Sequence, residues 1–187
     1  SPLGDSTSGL FGLGGGVGMT EKPTVTYSPL HGDQFIKRVL SPLPLQTIAL
    51  LFHSGWSIER IFMLAFQSIN HLKNAPGASG PTPSIAPSYM EFASAIKHLR
   101  ALQVRDTINL SYQKENGVAK LILHINEKDK NSEDAKQFAL ALNVEPGKTR
   151  YVLTYSPALN KTDQINVVSR SLLGIMFYLS QAVEVPR

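Results

Sequence analysis

The sequence predicts an α+β fold: an N-terminal strand plus helices, then a mostly antiparallel sheet built from two strand–strand–helix units. Three observations carry that expectation. Residues 107–112 and 118–125 alternate polar and apolar side chains with period two, the mark of a sheet with one covered face. Residues 58–72, 89–103 and 133–142 repeat apolar side chains every three or four positions, as amphipathic helices do. The order strand, strand, helix then occurs twice, at about 106–142 and about 148–182.

Taken in order, residues 1–22 form a glycine-rich arm whose centre reads GLFGLGGGVG. Its spacing fails the dinucleotide fingerprint, because Val17 stands where the third glycine belongs, and no Lys-Ser/Thr follows to make a phosphate loop. Glycine is costly to order, so the arm is expected to order only against a neighbour that buries Leu10, Phe11 and Leu13. KPTVTYSPL has the β-branched and aromatic content of a strand ended by Ser28-Pro29. GDQFIKRVL reads as a short helix with Phe35, Ile36, Val39 and Leu40 on its apolar side. Pro44 suits the first turn of the next helix, which stops at Gly55. Ser57 then caps one long helix, SIERIFMLAFQSINHLK, with Ile58, Phe62, Ala65, Ile69 and Leu72 in its stripe.

Residues 74–87 hold most of the Pro/Gly/Ser run NAPGASGPTPSIAPS and separate a strand-plus-helical section, 23–73, from an α+β unit, 88–187. Ser88 and Glu91 form a capping box for a helix that buries Phe92, Ile96 and Leu99. Ile108, Leu110 and Tyr112 share one strand face. Asn116-Gly117 is a hairpin turn, and Ala119, Leu121, Leu123 and Ile125 return on the buried face. Ser132 caps a helix with the stripe Ala135, Phe138, Ala139 and Leu142. Strands TRYVLTYS and DQINVVS lead into RSLLGIMFYLSQAVEV, a helix apolar on nearly all sides that must lie under other elements or dock onto something else.

Composition narrows function by exclusion. The 187 residues carry a net charge of +4, and no cysteine, which rules out disulfides, thiolate zinc sites and thiol nucleophiles. Acids and bases alternate in EKDKNSEDAK, a solvated surface rather than a nucleic-acid footprint. The densest basic group, Lys97, Arg100 and Arg105, is too small to favour nucleic acid, and Tyr151 and Tyr155 on one strand face read as core rather than a stacking platform. No apolar run reaches the roughly 20 residues of a membrane span. Ser1 in place of Met implies a processed chain, with any signal peptide or lipid anchor upstream.

The best catalytic-looking cluster is His31-Gly32-Asp33 with His53-Ser54, an acid, a base and a hydroxyl. Its simpler account makes Asp33 an N-cap, His31 part of a turn and Ser54-Gly55 a helix end. Trp56, the one tryptophan, falls between a helix-ending glycine and a cap, where half-burial is normal. No metal or cofactor motif is present.

PTVTYSPLHGDQF, SGW, QSIN and RSLLGIMFYLSQAVEVP together resemble an uncharacterised group of bacterial cell-envelope proteins described as lipoproteins, over about residues 23–186. That resemblance implies a domain in the periplasm, associated with the outer membrane and tethered through an upstream lipidated cysteine. The expected function is a non-catalytic interaction or scaffold domain, a component of a multi-protein assembly, with no cofactor and no metal. Its expected partners are other envelope proteins or a second copy, without nucleic acid, and with membrane contact only through the upstream anchor. The candidate partner-binding residues are Leu10, Phe11, Leu13, Trp56, Phe177 and Tyr178. The alternative is a small-ligand binder or hydrolase with a site between the two halves.

Overall fold

The structure is a computed structural model that describes residues 31–74, 86–158 and 160–182. The arm with Leu10, Phe11 and Leu13, the expected strand at 22–30 and most of the 74–87 segment lie outside the described residues. Contacts divide the chain into compact units 1–34 and 35–187. Of the first unit the described residues are 31–34, where Gln34 N–H donates to His31 O at 2.9 Å as a helix begins.

Six helices and a six-stranded sheet make up the described residues. In order they are α1 (Gly32–Leu40), α2 (Leu45–His53), α3 (Ile58–Ala65), β1 (Phe66–Ile69), β2 (Leu72–Lys73), α4 (Ala86–Val104), β3 (Ile108–Glu115), β4 (Val118–Ile125), α5 (Glu133–Ala141), β5 (Arg150–Thr154), β6 (Gln164–Ser169) and α6 (Leu172–Ala182). The sheet order is β2-β1-β6-β5-β4-β3. Every neighbouring pair is antiparallel except β5 and β6, which run parallel through the connection 155–163. The fold is therefore α+β with a mostly antiparallel sheet. Strands from before and after residues 75–85 share that one sheet.

Period-two patterning settles the register as expected. Leu110 faces Leu123 and Tyr112 faces Leu121 across β3 and β4, and Leu121 and Leu123 face Leu153 and Tyr151 of β5. The hairpin closes through Asn116 and Gly117 at φ 51° and 79°, the left-handed pair that a two-residue turn of this kind requires. On the covered face, α2 lies against β3 and β4, α4 against α3, β2 and β3, and α5 against α4. Phe62, Phe66, Phe92, Phe138 and Tyr151 are the largest side chains in that core. Ile122 and Val152, paired across β4 and β5, are buried on the opposite face.

Five local expectations need correction. The long helix from Ser57 ends at Ala65 and becomes the hairpin β1–β2. Its stripe misled because a bulge between Phe66 and Ser68 lets residues three apart, Phe66 and Ile69, both point inward along a strand. Helical spacing and a bulged strand thus bury the same positions. Ser88 lies inside α4 rather than before it: the helix opens at Ala86, and Pro87 is tolerated in a first turn, where its missing N–H has no partner to lose. Pro44 stands at the N-cap of α2, and Asp33 sits in the first turn of α1 instead of capping it. Ser57 does hold the N-cap of α3, but Ile58 N–H donates to Gln103 Oε1 at 2.8 Å, not to the serine.

Candidate functional site: two outward-facing apolar helices

Helix α1 has no buried residue, and only Val39 is even half-covered. At 100° per residue, Phe35, Ile36, Val39 and Leu40 fall on one arc, Gln34 falls opposite, Asp33 lies at the Leu40 edge of the arc, and Lys37 and Arg38 follow beyond its two edges. Phe35, Ile36 and Leu40 are each more than half exposed. The chain leaving α1 is nonetheless held. Pro42 bridges Ser171 in antiparallel fashion, Leu43 N–H donates to Arg170 O at 2.9 Å, and the Tyr155 hydroxyl donates to Leu43 O at 2.9 Å. The same hydroxyl lies 2.9 Å from Ser169 Oγ. Burial pushes the Tyr155 hydroxyl above the ordinary tyrosine range, so it stays a donor at neutral pH.

Helix α6 starts on the other side of that bridge. Ser171 Oγ accepts from Gly174 N–H at 3.0 Å, a serine N-cap. Gly174 allows close approach: a Cβ there would crowd Ser171 Oγ at 3.3 Å and Arg170 Cβ at 3.4 Å. Gly174, Ile175 and Tyr178 face the body of the domain. The opposite side, about half the circumference, carries Leu172, Leu173, Met176, Phe177 and Leu179 with Ser180 among them. Phe177 is 64% exposed. This is an amphipathic helix turned inside out, since its apolar face looks outward.

What holds α6 is Arg170. Its guanidinium, 8% exposed, donates to Met63 O at 2.7 Å, to Leu64 O at 3.1 Å and to Asn74 O, while its backbone N–H donates to Ala65 O at 2.7 Å. These carbonyls close the C-terminus of α3, where the helix dipole favours a cation. Asn74, also buried, donates from Nδ2 to Met63 O at 2.7 Å and Phe66 O at 2.9 Å. The Tyr178 ring lies over the guanidinium, 4.0 Å from its carbon, a cation–π contact. Burial lowers the Arg170 pKa, with Tyr178 and Tyr89 opposing, and burial raises that of Tyr178. Neither Arg170 nor Asn74 stood out in the sequence. The single available signal was a basic residue immediately before an apolar helix.

Of the expected partner-binding residues, Phe177 is on the outward face and Tyr178 on the inward face of the same helix. Trp56 is 47% exposed just before α3, with its carbonyl accepting from Gln103 Nε2 at 3.0 Å. Arg170 closes the far end of α3, so the tryptophan and the α6 anchor stand about 12 Å apart along that helix. They do not form one site.

His31, Asp33 and His53 are exposed, and among the described residues none of their side chains makes a hydrogen bond; Ser54 Oγ donates to Leu50 O at 2.8 Å. Arg105 is paired with Asp134 at 2.8 Å and Asp129 at 3.6 Å, Arg100 donates to Gln103 at 2.7 Å, and Lys97 is exposed. Tyr151 is core, its hydroxyl donating to Glu145 O at 2.6 Å. An open depression of about 780 Å³ is lined by Ser57, Glu59, Arg60, Met63 and Arg100 among others. Among the described residues no group of three His, Asp or Glu could hold a metal ion, and no helix is long and apolar enough to cross a membrane.

Comparison of the chain with protein-family models, with curated proteins and with solved structures gave no match.

Proposed function

We propose that this chain is a non-catalytic interaction domain of the bacterial cell envelope that docks onto another envelope component through the outward faces of α1 and α6. The observation that carries the reading is the inverted α6. Five large apolar side chains face solvent on a helix whose inner side is anchored through a buried arginine. A contiguous exposed apolar face of this kind marks an interaction surface. The envelope location rests on the resemblance to the lipoprotein group. His31, Asp33 and His53 are each exposed and make no side-chain hydrogen bond among the described residues, which favours a docking role over hydrolysis.

Radical footprinting of methionine oxidation tests the docking. Met176 on α6 and Met90 on α4 are both well exposed in the isolated chain. In intact native cells, Met176 is expected to oxidise several-fold more slowly relative to Met90 than in the purified protein. An unchanged ratio would mean that nothing covers α6, and the proposal would fall.

A further inference from the structure

We infer that the depression between α3 and α4 is a binding site for a small organic anion, one that carries a carboxylate or phosphate group on an apolar body. The site goes beyond the docking reading and is independent of it, because none of its described lining residues lies on α1 or α6. The depression measures about 780 Å³, a volume usual for small-molecule sites. Its wall holds two guanidiniums, Arg60 from α3 and Arg100 from α4, and Met63 and Leu64, both half-buried, give it an apolar patch.

Charge defines the ligand. Among the described residues neither Arg60 nor Arg100 is in an ion pair; Arg60 makes no side-chain hydrogen bond, and Arg100 donates to the neutral Gln103. A second basic hollow, lined by Lys130, Lys148 and Arg150, carries its own counter-charge in Glu127, Glu145 and Asp163. Here the one carboxylate is Glu59, so two guanidiniums against one carboxylate leave a net charge of +1. Consecutive helical residues do not face each other, and Glu59 pairs with neither arginine. Arg100 is also held in place. Its Nη1 donates to Gln103 Oε1 at 2.7 Å, the same oxygen accepts from Ile58 N–H at 2.8 Å, and Gln103 Nε2 donates to Trp56 O at 3.0 Å. Gln103 thus does at α3 what the side chain of Ser57 does not. Ser57 makes no side-chain hydrogen bond among the described residues and lines the depression, where its hydroxyl is a third donor. Guanidinium forks match the paired oxygens of a carboxylate or phosphate, and the adaptable Met63 with Leu64 suits an apolar body.

Nuclear magnetic resonance titration of the full chain, followed at the arginine Nε–H signals, tests this with phenyl phosphate, benzoate and the neutral benzyl alcohol as probes. Phenyl phosphate or benzoate is expected to shift the Arg60 and Arg100 signals saturably, and benzyl alcohol to leave them in place. Whichever anion binds more tightly identifies the head group. Arg60→Gln and Arg100→Gln should each weaken that binding about tenfold, through loss of a charged hydrogen bond. Arg60 is exposed, so its variant should keep the parent melting temperature. Glu59→Gln should tighten binding roughly threefold by removing a like charge. Equal shifts from benzyl alcohol, shifts that never saturate and spread over all basic residues, or an affinity unchanged in Arg60→Gln would each overturn the proposal. None of these outcomes bears on the protection of Met176, so this site and the docking reading stand or fall separately.

Discussion

The two strand–strand–helix units use the same order of elements to opposite ends. In β3–β4–α5 the strands form an antiparallel hairpin closed by Asn116-Gly117, and α5 folds back to bury Ala135, Phe138 and Ala139. In β5–β6–α6 the strands run parallel, and the helix that follows exposes most of its large side chains. By composition the ranking should be reversed, because α6 is much the more apolar of the two. The difference lies in what is available to pack against. Helix α5 meets α4 over the core face of the sheet, whereas α6 leaves β6 beside the end of α3 and, among the described residues, meets little else. Apolarity supplies a driving force, but burial needs a surface within reach.

The largest expected effect separates the two helices directly. Phe138 is buried edge-on to Tyr151 at 6.2 Å, so Phe138→Ala should cost about 3–5 kcal/mol. Phe177→Ala should stay within about 0.5 kcal/mol. Urea unfolding of both variants checks the contrast, and equal losses would mean that α6 is covered within the isolated chain.

Next comes the anchor. Arg170→Met removes the guanidinium donor from the carbonyls of Met63, Leu64 and Asn74, leaving only the Asn74 amide on Met63 O, and should cost about 3 kcal/mol, with part regained in Arg170→Lys. A loss below about 1 kcal/mol in the same experiment would show that water replaces the guanidinium there.

The smallest effect belongs to the surface network that ties α4 to α5. Asp134 Oδ1 lies 2.8 Å from His98 Nδ1, and Asp134 Oδ2 accepts from Arg105 at 2.8 Å. The hydrogen bond from His98, then that from Arg105, hold the Asp134 carboxyl below the usual carboxylate range, against some desolvation. A folded-state pKa below the unfolded one contributes stability above the unfolded value, near 3.9, and that contribution is lost as pH falls through the folded value. The side chains are partly solvated, so it amounts to less than about 1 kcal/mol. Asp134→Asn should therefore lose less stability than the parent between neutral pH and about pH 3. Equal losses in paired urea titrations would remove the network from the acid response.

Much of β3–β4–α5 could be read in the sequence because its signals are local. Asn116-Gly117 demands one turn, alternation from Ile108 to Ile125 demands one register, and Ser132 caps α5 by accepting from Ala135 N–H at 3.3 Å. The residues around Phe66 were ambiguous, since a bulged strand and a helix bury the same positions there. Asn70 resolves the ambiguity in three dimensions: its Nδ2 donates to Leu142 O at 2.7 Å, and its Oδ1 accepts from Asn166 N–H at 2.8 Å. No window of sequence contains both Asn70 and Leu142. The candidate surface was half legible, because the apolarity of α6 and Phe177 could be read but the direction they face could not.

By itself, then, the sequence determined the α+β class, the β3–β4 hairpin, the stripes of α4 and α5, and the existence of an apolar last helix. Each follows from side-chain periodicity or turn chemistry within a few residues. Tertiary structure alone decided that α3 stops at Ala65, that β5 and β6 run parallel, and that Arg170 closes α3 and seats Tyr178. It also decided that α6 turns its apolar face outward. The physical reason is common to all four. Each depends on carbonyls, N–H groups or surfaces contributed by segments far apart in the chain, and a helix buries its apolar face only where the fold leaves a place to put it.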